Sequence, residues 1–210
     1  MKLDEIVDEI IVMNLDRRTD RLNHCVAQAD QHNFSFIRLK ATDWKDLHYI
    51  PKGFRLGEFA LNQTYLNALD YCISKDFNTV LIMEDDFDFC ENLEERLDEI
   101  KQIPDDWDLI YLGANHYHLG AGTIPPEKIN DNILKVKSSF CAHAIIYNRK
   151  MLTEIRDRLS KSDCVVDLML SRLQPDFNCY GFVKNICKQY DSHSDLINFN
   201  PHYNSKGIFD

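Results

Sequence analysis

The sequence lacks a basic excess, a long apolar run and any paired-cysteine motif, and each absence removes a class of function. Lys plus Arg number 24 against 34 Asp plus Glu in 210 residues, a formal net charge of −10. That balance argues against nucleic acid or an anionic membrane surface as partner, since both need a basic face. No apolar run approaches the roughly 18 residues of a membrane span. The opening MKLDEIVDEI carries acids inside its first apolar stretch, unlike a signal peptide. Seven cysteines are present, an odd number with no CxxC spacing, so neither a zinc ribbon nor a dithiol redox motif is encoded. Free thiols in a reducing compartment are the simplest account, and a cytoplasmic location is expected. Neither GxGxxG nor GxxxxGK[ST] occurs, which leaves dinucleotide-dehydrogenase and P-loop chemistries without support. Internal repeats and low-complexity linkers are absent too.

What is present fits a folded chain. Hydrophobic residues make up 44% and charged residues 28%, and a chain of this length buries on the order of 70% of its unfolded surface. One domain over 1–210 is expected. Apolar runs alternate with helical patterns. Strands are predicted at 10–15, 34–39, 78–83, 107–113, 133–136 and 141–147. Helices are predicted at 17–33 (Leu22, Cys25, Val26 and Ala29 on one face), 57–75 (Phe59, Tyr65, Leu66, Leu69 and Cys72), 92–102, 149–160 and 164–173. Residues 114–132, with His116, Tyr117 and His118, read as a long irregular loop able to cover a ligand. Trp44 and Trp107 read as packing residues. The alternation predicts an α/β fold, an α/β/α sandwich on a mostly parallel sheet. Ligands of such sheets sit at the carboxyl ends of the strands.

Two polar clusters fall at such ends. Glu84, Asp85, Asp86 and Asp88 follow the apolar NTVLIM directly. Carboxylates this close repel one another, and a hard divalent cation such as Mg²⁺ or Mn²⁺ relieves the repulsion. Alternation along an extended segment lets Glu84 and Asp86, or Asp86 and Asp88, share that cation. A solvated acidic turn capping the next helix is the alternative. The net charge points to the same place: residues 84–108 hold 12 acids and 2 bases, so the window accounts for the whole acid excess. The second cluster, Arg17, Arg18 and Arg21, opens the helix after the first strand. A helix N-terminus attracts anions, and arginines add bidentate phosphate contacts. Salt bridges to Asp16 and Asp20 on an exposed face are the alternative. The two clusters together suit a metal-bound diphosphate, as in a nucleotide-sugar enzyme.

An ordered set of short segments then resembles glycosyltransferase family 25, which includes lipopolysaccharide and procollagen galactosyltransferases. The segments are IIVMNLDRRTDRL, Leu39-Lys40-Ala41-Thr42-Asp43, Leu56-Gly57-Glu58-Phe59, VLIMEDDFDF, WDLIYLG, Ala142-His143-Ala144-Ile145-Ile146, Val166-Asp167-Leu168, and Lys188-Gln189 followed by Ser194-Asp195-Leu196. The family's Ser-His stands as Thr64-Tyr65 here, and its Ala-Tyr as Ala142-His143. The resemblance implies a GT-A-like fold and inverting transfer of a hexose, galactose or glucose, from a UDP-sugar donor, with Mn²⁺ or Mg²⁺ as cofactor. It implies a glycan, lipopolysaccharide or hydroxylysine-type acceptor. By position it gives Asp86 the metal, with Glu84 or Asp85 on metal or ribose. Asn14, Leu15, Arg18 and Arg21 would hold uridine and diphosphate, and Thr42 and Asp43 the base or ribose. His193 and Asp195 are the candidates for a further metal ligand from the C-terminal segment.

Inverting transfer also needs a carboxylate to take the acceptor's proton. Asp167, after Cys164-Val165-Val166 and before an apolar helix, is the candidate; an early-turn residue serving the helix dipole is the alternative. A non-catalytic nucleotide-sugar-binding protein and a metal-dependent phosphohydrolase are the competing functions.

Overall fold

A computed structural model describes residues 1–116 and 123–190. Strand β1 (Glu9–Asn14) leads into α1 (Thr19–His32), β2 (Ile37–Lys40) and α2 (Leu56–Ser74). Next come β3 (Thr79–Glu84), β4 (Phe87–Phe89) and α3 (Leu93–Leu97), which continues as a 3₁₀ turn. The chain goes on through β5 (Leu109–Asn115), β6 (Glu127–Lys128), β7 (Ile133–Lys135) and β8 (Phe140–Asn148). It continues with α4 (Arg149–Leu159), α5 (Val166–Leu173), β9 (Cys179–Phe182) and β10 (Cys187–Gln189).

Eight strands form one mixed sheet in the order β2-β1-β3-β8-β5-β9-β7-β6, and β10 pairs with β4 in a separate ribbon. Six of the eight share a direction; β8 and β7 run against them. The large, mostly parallel sheet read from the alternating pattern is therefore present. Both faces are covered, which is why IIVM and VLIM are continuous apolar runs rather than alternating ones. Ile11, Met13, Val80, Ile82, Tyr111 and Tyr147 face α2, α4 and α5. Their neighbours Ile10, Val12, Leu81, Met83 and Ile110 face Cys25 of α1 and Leu93 and Leu97 of α3. The period of 2 along each strand divides the apolar residues between the two layers. Among the described residues no helix is long and apolar enough to cross a membrane.

Three local features depart from the sequence reading. Val26 is exposed, because the inner face of α1 is made by Arg21, Cys25, Gln28 and Ala29. The buried arginine explains the difference: its partners lie in the acidic turn, so the helix rotates toward them. The helix expected over 92–102 breaks at Leu97 into the 3₁₀ turn. Within 114–132, His116 is only 4% exposed, its Nδ1 2.8 Å from Ser139 Oγ, so it covers nothing. Tyr117 and His118 lie outside the described residues.

The register places the site. β2 and β3 flank β1 on opposite sides, both parallel to it, with Asn14 level with Lys40 and Met13 level with Glu84. Chain direction across the sheet reverses at β1, and a crevice opens outside the carboxyl ends there. β8 runs antiparallel between β3 and β5, so its first residues arrive at the same edge. Gly113 makes the close approach of β10 possible: a Cβ there would stand 1.9 Å from the Cys187 carbonyl oxygen.

Candidate active site

The end of β3 and the turn after it put Glu84, Asp85 and Asp86 along one cleft. Because the strand stops at Glu84, the three carboxylates escape strand alternation and converge. Alternation resumes in β4, where Phe87 and Phe89 point inward and Asp88 outward. Asp88 is 47% exposed, 3.7 Å from His24 Nε2, and does not line the cleft. Of the two pairings the spacing allows, Glu84 with Asp86 or Asp86 with Asp88, only the first has both carboxylates lining the cleft.

Each of the three carboxylates has its own surroundings. Asp85 accepts from Asn14 Nδ2 at 2.7 Å and from Arg21 Nη1 at 2.6 Å. Its carboxyl is nevertheless pushed up, burial and the Asp86 charge outweighing the Arg21 guanidinium. Asp86 lies 3.4 Å from Arg21 Nη1 and accepts long bonds from Gln189 Nε2, at 3.3 and 3.4 Å. Glu84 Oε1 stands 3.2 Å from the Tyr65 hydroxyl. Burial, then the charges of Asp86, Asp167 and Asp85, push its carboxyl well above the usual range.

The other arginines serve neighbours rather than the cleft. Arg18 forks onto Asp20 at 2.9 and 2.8 Å and holds that carboxyl down to about 2. Arg17 donates to Asp43 at 2.6 Å, and Asp43 also caps the 3₁₀ turn over 44–46. Asn14 stands behind Asp85, its own Oδ1 accepting from Arg38 at 2.9 Å. Of the candidates for nucleotide contact, Leu15, Arg21, Thr42, Glu84 and Asp85 line the cleft, and Asn14, Arg18 and Asp43 do not. Trp44 lines it as well, contrary to the packing role expected, whereas Trp107 packs against the core. Thr42 is fixed from α2, its N–H donating to Thr64 Oγ1 at 2.9 Å.

Asp167 reaches the cleft from the far side, in the first turn of α5. The start of that helix is tied to α2: Asn62 accepts from the Val166 N–H at 2.8 Å and donates to the Cys164 carbonyl at 2.9 Å. The Asp167 side chain caps nothing, and its Oδ1 is buried with no hydrogen-bond partner. Burial foremost, and the Asp86 charge, push its carboxyl up to about 6 against the pull of the Cys141 N–H. Cys141 itself sits at φ 73°, a left-handed conformation uncommon for a residue with a Cβ.

Among the described residues the cleft sets four carboxylates against one guanidinium, and that guanidinium already contacts two of them. Among the described residues no three His, Cys, Asp or Glu side chains form a ready-made metal cage. The donor set fits a different arrangement: Mg²⁺-like ions are commonly held by one or two carboxylates, with substrate phosphates and water completing the shell. Asp86, only weakly engaged, and Glu84 have the hard oxygens for it. His193 and Asp195 lie outside the described residues. Sequence reasoning gave no role to Gln189, Tyr65 or Cys141. Tyr65 was legible as one apolar position of a helical face and as the residue in place of the family's histidine, and Gln189 only as part of a short closing motif.

No family model matches the chain. In sequence it is similar to procollagen galactosyltransferase 2 from Homo sapiens, 24% identical over 148 residues that cover 60% of this chain and 23% of that protein. The chain therefore spans less than a quarter of that relative's length. Among solved structures, the inositol-1-phosphate CTP transferase from T. maritima is 14% identical at a TM-score of 0.46, covering 88% of this chain and 89% of that one. A197 from STIV is 12% identical at 0.43, covering 87% and 85%. A glycosyltransferase involved in glycosylation of the major capsid of PBCV-1 is 6% identical at 0.40, covering 71% and 64%.

Proposed function

We propose that this protein is a metal-dependent inverting glycosyltransferase of the family 25 type, moving galactose or glucose from a UDP-sugar to a hydroxyl of a glycan, lipopolysaccharide or hydroxylysine-type acceptor. The observation that carries the proposal is the charge of the cleft. Among the described residues Glu84, Asp85, Asp86 and Asp167 face one arginine, Arg21, which already contacts two of them, at the carboxyl ends of β1 and β3. A diphosphate entering that field alone would be repelled, and with a divalent cation it would be attracted. The similarity to a galactosyltransferase supports a hexose as the group transferred.

The residues divide the work. Asp86, with Glu84, would hold Mn²⁺ or Mg²⁺, which when bound neutralises charge on the departing diphosphate. Arg21 and Asn14 keep Asp85 in place and prevent it from competing for that position. Leu15, Ala41, Thr42 and Trp44 form the less polar end of the cleft, suited to a nucleoside. Asp167 would take the proton from the acceptor hydroxyl. A carboxyl titrating at about 6 is ionised at neutral pH and more basic than an ordinary one, which suits a general base.

UDP release from UDP-galactose and UDP-glucose, with and without Mn²⁺, tests the reading alongside thermal shift under the same conditions. Metal-dependent stabilisation by a UDP-sugar and metal-dependent release are expected, both abolished in Asp86→Ala. Absence of metal-dependent binding for every UDP-sugar tried would overturn it.

A further inference from the structure

Tyr65 is wholly buried, and its hydroxyl touches two elements that carry opposite sides of the cleft. It donates to the Ala142 carbonyl at 2.6 Å, at the start of β8, and lies 3.2 Å from Glu84 Oε1, at the end of β3. The β3–β8 ladder runs only to Met83 opposite Ala144. Beyond that pair, no ladder bond between these strands sets the distance from residues 140–143 to the acidic turn. On the other side, the β5–β8 register shifts at Gly113 and again before Asn115. Phe140 pairs with Asn115 and Ala144 with Gly113, and the stretch Cys141–His143 between those pairs lies outside the regular register.

That segment matters to the cleft. Cys141, Ala142 and Asp167 all line it, and the Cys141 N–H favours the ionised form of the Asp167 carboxyl. A non-glycine residue in the left-handed region costs roughly 1–2 kcal/mol and persists only where its surroundings over-determine it. The bond from Tyr65 to Ala142 is made by the next residue along and supplies such a constraint.

We infer that Tyr65 is a positioning residue: its hydroxyl clamps the start of β8 to the end of β3, and so sets the spacing between the acidic turn and Asp167 across the cleft. The inference deepens the proposed transferase and rests on it for its kinetic consequence. Tyr65 makes no hydrogen bond to Asp167 among the described residues, so it acts through Ala142 and Cys141. A packing role would need only the ring, which Phe supplies equally well.

Tyr65→Phe is the test. It keeps the ring in the core, so a cooperative fold is expected. Misplacement of a reacting group by about 1 Å costs on the order of 100-fold; a kcat loss of roughly 10- to 100-fold is expected, with donor KM within about 3-fold of wild type. Independently of turnover, the Asp167 carboxyl followed by ¹³C NMR, assigned with Asp167→Asn, should titrate about one pH unit higher as the Cys141 N–H draws away. Cys141→Val disturbs the same segment from the other end, because a β-branched residue resists φ 73°, and should move the Asp167 titration the same way. If wild type transfers no sugar, the proposed function fails while the titration still reads the clamp. An Asp167 titration unchanged in Tyr65→Phe overturns the clamp, as does an unchanged kcat; should that variant not fold, an unchanged titration in Cys141→Val does so.

Discussion

Replacing Asp167 by Asn should stabilise the protein while removing its activity. The carboxyl is raised from 3.8 to about 6, burial being the main cause. Above pH 6 the folded state must hold a charge that the unfolded chain holds more comfortably. A shift of roughly 2 pH units corresponds to about 3 kcal/mol of stability forgone at neutral pH. Asn has nearly the same shape, keeps an oxygen for the Cys141 N–H and carries no charge. Its amide takes the place of an oxygen that has no partner, in a field made negative by Asp86. Imperfect pairing of that amide subtracts on the order of 1 kcal/mol. The net gain expected at pH 7.5 is about 1–2 kcal/mol, which for a chain of this size raises Tm by about 2–8 °C.

The pH dependence makes the test sharper. The folded Asp167 carboxyl takes up its proton between pH 6 and about 4, so wild type recovers the lost stability as pH falls through that window. The advantage of Asp167→Asn should shrink across the same range and vanish below about pH 4. Thermal melts of both proteins from pH 4 to 8 measure it. A residue serving the dipole of α5 predicts the opposite sign, a loss of about 0.3–1 kcal/mol at neutral pH. A variant equal to or less stable than wild type at pH 7.5 would refute the buried-charge reasoning. With the gain must come a fall in transfer of roughly 100- to 10,000-fold, the usual worth of a general base. Stability stored against function in this way is common at active sites.

How much of this was legible in the sequence depended on whether a residue's role lay in its own segment. The strand before Glu84 and the helix carrying Tyr65, Leu69 and Cys72 were readable because apolar period and length are local properties. Asp167 could be singled out for its place at the head of an apolar helix, and the fold sets it across the cleft from Asp86. What the sequence concealed were pairings made over long distances. Arg18 and Arg21 look equivalent at a spacing of three. Only the approach of α1 to the β3 turn, 64 residues away, sends Arg21 to Asp85 and leaves Arg18 to its neighbour Asp20. Asp88 looks equivalent to Glu84 until β10 pairs with β4 and fixes which of its side chains face outward. The clamp by Tyr65 is concealed for the same reason, since a tyrosine on an apolar face announces a ring and says nothing of its hydroxyl.

Two further expectations follow from those assignments. Asp88→Asn should leave Mn²⁺-dependent UDP release within about 2-fold of wild type, since its carboxylate faces His24 and solvent; a loss as large as that of Asp86→Ala would return Asp88 to the metal site. The second concerns His116 and His143, both buried and both held down to about 4, burial being the leading cause for each. Unfolded histidine titrates near 6.5. Between pH 6.5 and 4 the unfolded chain therefore gains protons that the folded one refuses, and stability falls as pH decreases, by up to about 1.4 kcal/mol per pH unit for each ring. Asp167 works in the opposite direction below pH 6 and masks part of the loss. Removing it exposes the histidines: between pH 6.5 and 5 the urea midpoint of Asp167→Asn should drop more steeply than that of wild type. His143→Gln in the same background should flatten the drop by about half. If the Asp167→Asn midpoint instead stays level over that range, the two rings take up protons in the folded state, and their burial does not keep them neutral.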